Sequence, residues 1–232
     1  MPFCILNSEV MGVKKISAAR ESAFRFDCRD CPRLAAFLDK VKGENPEYFC
    51  KPVPPFGAAN PSLLIVGLAP GMHGANRTGR PFTGDYAGGL LYSTLYKFGF
   101  ADRPVSVAAD DGMRLVGCRI TNAVKCLPPQ NKPDMSEIRT CNQFLRVEMA
   151  AISSRTAILS LGGIAHGAVL KAAGLKPSAH KFGHGSKHNL VSGHMLFNSY
   201  HCSRYNTNTR RLTESAFHEV FVAIRMHLNS QA

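Results

Sequence analysis

Acidic residues are scarce in this chain: 16 aspartates and glutamates stand against 28 lysines and arginines. Such an excess of positive charge favours a polyanionic partner, because each phosphate contacted releases counterions. Charge alone fits equally a basic protein that binds nothing acidic. No five basic residues run together, which excludes a disordered nucleic-acid-binding tail. Long apolar runs are missing too. None approaches the roughly 20 residues that a membrane-spanning helix needs. In MPFCILNSEVMGVKK the charges follow the apolar stretch, the reverse of a secretory signal. The expectation is a soluble intracellular protein with no membrane partner. Neither a P-loop nor a dinucleotide fingerprint occurs, so a nucleotide cofactor is disfavoured. There is no coiled-coil seam, and a monomer is the default expectation.

The 232 residues suffice for one well-cored domain and are short for two. A loosely held tail is expected over residues 1–16 and a single domain over 17–232. ISAARESAFRF suggests a helix leading into Cys28 and Cys31. Pro32 suits the first turn of a second helix, RLAAFLDKVKG, which Gly43 would stop. Prolines crowd residues 45–60, which read as a surface loop. PSLLIVGLAP is apolar without alternation, as in a strand buried on both faces.

GCRITNAVKC, RTAILSLGG and HMLFNSY read as three further strands. Between and after them lie helical stretches: LLYSTLYKFGF, for which Asp85 is a candidate N-cap, PDMSEIRTCNQFLRVEMAAI, IAHGAVLKAAG and TESAFHEVFVAIRMHL, capped by Thr213. A loop rich in histidine, glycine and lysine separates the last two over residues 177–193. This alternation predicts an α/β fold, a three-layer α/β/α sandwich around a four-stranded parallel sheet. In such sheets the functional loops leave the carboxyl ends of the strands.

Eight cysteines without a secretory signal do not make a disulfide framework. Cys28 and Cys31 form a C-x₂-C pair that can grip one metal centre. Cys126, at a strand end, and Cys141, within the next helix, could complete a four-cysteine site. Buried apolar thiols account for the same residues, and spacing alone does not separate zinc from iron–sulfur.

Two loops carry the remaining chemistry. The first runs from Gly67 to Asp85, GLAPGMHGANRTGRPFTGD. Its glycines permit close approach of backbone to ligand, and Phe82 is a candidate stacking platform for a planar base. The second, YHCSRYNTNTRRLT, places His201, Ser203, Arg204 and Asn206 just past a strand, suited to holding phosphates and donating to a leaving group.

These two loops, together with TNAVKC, resemble the motifs of the uracil-DNA glycosylase superfamily, and within it the family-5, or type-b, enzymes. The similarity runs from about Cys28 to Leu228. Family-4 relatives carry an acidic residue where this chain has Leu68. The resemblance implies a [4Fe–4S] cluster held by Cys28, Cys31, Cys126 and Cys141. It also implies an intracellular, nucleoid-associated repair enzyme that releases uracil, and deaminated purines such as hypoxanthine and xanthine, from double-stranded DNA.

By the same resemblance His201 donates to the base carbonyl, Asn122 reads the base edge and Phe82 stacks on the base. Ala69 stands where better-known uracil glycosylases carry a water-activating aspartate. Asp85 is its substitute, and Asn206 assists the base or the water. Gly67, Ala69, Gly71, His73, Phe82, Ser203 and Arg204 make up the substrate-binding set. Two departures stand out. Cys202 replaces a motif proline, which questions the stiffness of its loop, and Arg210 replaces a small residue beside a phosphate contact. A non-catalytic module that recognises or traps damaged DNA is the alternative, argued by Ala69 and opposed by the polar set Asp85, Asn122, His201 and Asn206.

Overall fold

The computed structural model describes residues 24–231. The expected tail and most of the helix expected over residues 16–26 lie outside the described residues, and residues 24–26 are not helical. In chain order the elements are α1 (Pro32–Glu44), β1 (Phe56–Gly57), β2 (Leu63–Gly67), α2 (Ala75–Thr78), α3 (Tyr86–Lys97), β3 (Cys118–Asn122) and α4 (Met135–Ala150). There follow β4 (Ala157–Leu161), α5 (Gly163–Ala172), β5 (Lys187–Asn189), β6 (Met195–Ser199), α6 (Arg204–Asn208) and α7 (Glu214–Asn229).

The sheet runs β1-β3-β2-β4-β6-β5. Its four central strands are parallel, as expected from the apolar runs. The expected count of four is corrected to six by β1 and β5, which pair antiparallel at the two edges. Both are only two or three residues long and sit in stretches read as loops, too short to show any alternation.

Strand β2 shows why its sequence is apolar throughout. Leu63 and Ile65 pack into one core with Leu91 of α3 and Phe217 and Phe221 of α7. Leu64 and Val66 pack into the other with Phe144 and Leu145 of α4 and Val169 of α5. Each such side chain, fully buried, contributes about 1.5–3 kcal/mol.

The helices start where capping chemistry says they should. Pro32 opens α1, and Asp134 with Glu137 forms a capping box on α4. Glu137 also pairs with Arg33 at 2.7 Å, tying α4 to α1. Thr213 accepts from the Ala216 N–H at the head of α7. Helices α2 and α6, both inside the loops read as functional, carry too few residues to show a period.

Candidate active site

Loops leaving the carboxyl ends of β2, β3 and β6 enclose a cavity of about 410 Å³. Ala69, Gly71, Phe82 and Asp85 of the first loop line it, together with Asn122 at the end of β3 and His201, Ser203 and Arg204 past β6.

Register and a missing side chain set its floor. Gly67 pairs with Asn122 across β2 and β3. A Cβ on Gly67 would stand 2.4 Å from Asn122 Oδ1 and 2.7 Å from the Phe82 ring. Gly67 therefore contributes the space in which the two side chains converge, and does not itself line the cavity. Asn122 is 4% exposed and its Oδ1 has no hydrogen-bond partner. Leaving a buried acceptor unpaired costs about 1–3 kcal/mol, so a donor on a ligand would be bound strongly there.

Phe82 is buried and stacks on His201, ring centroids 5.6 Å apart and planes 26° from parallel. Burial pulls the His201 pKa below its ordinary 6.5, opposed in part by the negative charge of Asp85. The imidazole is thus neutral at pH 7 and offers one N–H. Asn206 Nδ2 donates to the His201 carbonyl at 2.8 Å, so Asn206 lies behind the site and holds its backbone.

Asp85 does two things. Its Oδ1 accepts from the Gly88 N–H at 3.0 Å, capping α3. Its Oδ2 lies over the first loop, 2.3 Å from where a Cβ of Gly74 would be and 3.3 Å from that of Gly71. One oxygen caps the helix and the other remains available to the cavity.

At the rim, Ser203 caps α6, and the Arg204 guanidinium lies 5.1 Å from the Tyr86 ring centre. Thr207 donates to the Tyr86 hydroxyl at 3.1 Å, joining the first and second loops. His73 does not reach the cavity: it is exposed and its Nδ1 pairs with the Tyr48 hydroxyl at 2.8 Å. Five lining residues were not foreseen, the apolar Leu68, Ala75 and Ala87 and the polar Tyr86 and Asn131. Tyr86 directly follows Asp85, which was the available signal. Asn131 adopts φ +56°, and the only hint in the sequence was that asparagine after two prolines marks a turn. Cys202, in place of the motif proline, is fully buried in the core, so packing fixes this loop where ring stiffness would. Arg210 is exposed in a left-handed turn after α6.

Past the end of β3, Cys28, Cys31, Cys126 and Cys141 all line one small cavity. Burial pushes the thiols of Cys31 and Cys141 up to about 11, with neighbouring thiols adding to it, and raises Cys126 as well. The Lys125 N–H donates to Cys141 Sγ at 3.3 Å, the kind of contact that stabilises a ligated thiolate. Among the described residues no group of three or more His, Cys, Asp or Glu is placed to hold a metal ion. No helix among the described residues is long and apolar enough to cross a membrane.

Residues 54–225 match the family model of the uracil DNA glycosylase superfamily. The chain is 45% identical over 200 residues to a type-5 uracil-DNA glycosylase of Thermus thermophilus, covering 84% of this chain and 91% of that one. A type-5 uracil-DNA glycosylase of Pyrobaculum aerophilum is 42% identical over 198 residues, covering 84% and 86%. A type-4 uracil-DNA glycosylase of the same organism is 33% identical over 149 residues, covering 64% and 62%.

Proposed function

This chain belongs to the uracil DNA glycosylase superfamily, among the type-5 enzymes, and we propose that it hydrolyses the N-glycosidic bond of uracil in duplex DNA, with hypoxanthine and xanthine as slower substrates. The observation that carries this reading is the buried, unpaired Oδ1 of Asn122, set beside the Phe82 ring at the foot of the cavity.

The glycosidic bond is out of reach in the helical stack, so the nucleotide must be extruded. Phe82 then stacks on the base. Asn122 Oδ1 accepts from uracil N3–H while its amide donates to O4. Hypoxanthine and xanthine present the same pair at N1–H and O6; adenine and cytosine present the reverse and leave the buried oxygen unpaired. Guanine and thymine share the favoured edge, but their stable pairing opposes extrusion, whereas mismatched deaminated bases come out at lower cost.

As the C–N bond breaks, its electron pair moves onto the base and the sugar becomes an oxocarbenium ion. The neutral His201 ring donates its N–H to the oxygen where that negative charge develops. Ala69 has no group to take a proton. Asp85 Oδ2 holds the attacking water beside C1′, favours the cation electrostatically and receives the proton as oxygen bonds to carbon. Arg204, exposed at the rim, contacts backbone phosphate.

Cys28 and Cys31 ahead of α1, Cys126 past β3 and Cys141 within α4 would hold a [4Fe–4S] cluster, which supplies a cross-link between these elements.

The test is a parallel time course on matched duplexes carrying uracil, hypoxanthine or adenine, with alkali to break each abasic site. Release of uracil, slower release of hypoxanthine and intact adenine are expected. No abasic sites in the uracil duplex would refute the activity, and strict uracil release would refute the wider range.

A further inference from the structure

Phe82 sits at φ +55°, a backbone conformation that bulky residues rarely adopt. Strain of this kind persists only where the surroundings over-determine it. Here they do so from both sides, through residues outside the cavity.

Arg80, two residues earlier and 5% exposed, pairs with Asp111 Oδ1 at 2.6 Å, donates to Ser106 Oγ at 3.0 Å and bonds the Ala109 carbonyl. The Asp111 carboxylate in turn accepts the N–H groups of Val107, Ala108 and Met113 at 2.8, 3.3 and 3.0 Å. The Ser106 hydroxyl also meets Thr83 Oγ1 at 2.8 Å, fixing the residue after Phe82. Tyr92 reaches over to donate to the Pro81 carbonyl at 2.8 Å. Below, a Cβ on Gly88 would lie 1.8 Å from the Phe82 carbonyl oxygen, so this turn can seat only on a glycine.

We infer that the buried Arg80–Asp111 pair, relayed through Ser106 to Thr83, is a positioning device for Phe82. It holds the left-handed turn in which the ring stacks on His201 at the cavity wall. Arg80, Asp111 and Ser106 touch no reacting atom; they act through the placement of the ring. The inference rests on the reading of Phe82 as the base-stacking platform.

A double-mutant cycle separates the two. Single-turnover release of uracil is measured for the parent, Phe82→Ala, Asp111→Asn and Ser106→Ala, and for each of the last two combined with Phe82→Ala. Phe82→Ala should slow release about tenfold or more, since one stacking contact is worth about that factor. Asp111→Asn should slow it about tenfold as the turn relaxes, with Ser106→Ala a smaller effect in the same direction. Neither should add further loss in the Phe82→Ala background, and affinity for the duplex should be unchanged throughout. Parental speed in Phe82→Ala would refute the stacking role itself. Full effects of Asp111→Asn and Ser106→Ala without the ring would overturn the positioning role and leave stacking standing. Should Asp111→Asn fail to fold, Ser106→Ala, which keeps the ion pair, completes the cycle alone, and parental speed in that variant would overturn the inference.

Discussion

Adding one methyl group at Gly67 perturbs the geometry of the site without removing any functional group. Gly67 ends β2 and has no left-handed backbone requirement, so alanine brings no conformational strain of its own. Its Cβ, however, would sit 2.4 Å from Asn122 Oδ1 and 2.7 Å from two carbons of the Phe82 ring, against an ordinary contact of 3.4–4 Å. The Asn122 amide must therefore withdraw by about 1 Å, and a displacement of that size costs about a hundredfold in rate. Overpacking of a dense core adds about 1–3 kcal/mol of destabilisation. Gly67→Ala should then melt somewhat below the parent, bind the duplex as well, and release uracil about a hundredfold more slowly in single turnover. A variant that folds and releases uracil within a few-fold of the parental rate would show that Asn122 and Phe82 need not converge at this point.

Asp85→Asn keeps an oxygen for the Gly88 N–H and should melt near the parent while excision falls about a hundredfold; Asp85→Ala should also lose about 1 kcal/mol of capping. Parental excision by Asp85→Asn would reduce Asp85 to a helix cap. Because burial lowers the His201 pKa, the folded protein binds fewer protons than the unfolded chain just below pH 6.5. That contribution to stability is present above about 6.5 and is lost as pH falls through the depressed folded value. Melting curves at neutral and mildly acidic pH should therefore diverge more for the parent than for His201→Asn, and equal divergence would contradict a buried neutral ring. The purified protein should be yellow-brown with iron and acid-labile sulfide, and Cys126→Ala should lose both colour and stability, since ligation contributes to folding. A colourless parent with stoichiometric zinc would replace the cluster with a zinc site.

Much of this molecule is legible in one dimension because its causes are local. A strand flanked by helices on both faces needs an unbroken apolar run, which is how residues 63–66 announce β2. Proline at the start of α1 and the caps Asp85 and Thr213 act within one turn of their own positions. The first loop is long enough to carry its family resemblance in the order of its residues alone. What could not be read there depends on partners distant in sequence. The edge pairings of β1 and β5 need a neighbouring strand to exist at all. His73 looked like part of the site, and only the approach of Tyr48 turns it away. Gly67 looked like a ligand-contacting glycine, and only the register with β3 reveals that its missing side chain is filled by Asn122 and Phe82. Asp85 read locally as a cap, and its second oxygen acquires a role only because the loop folds back to lay Gly71 and Gly74 beneath it. The sequence by itself determined which chemical groups are available and where each element begins. Packing decided which of them face one another, because distance between side chains is a property of the closed chain and not of its order.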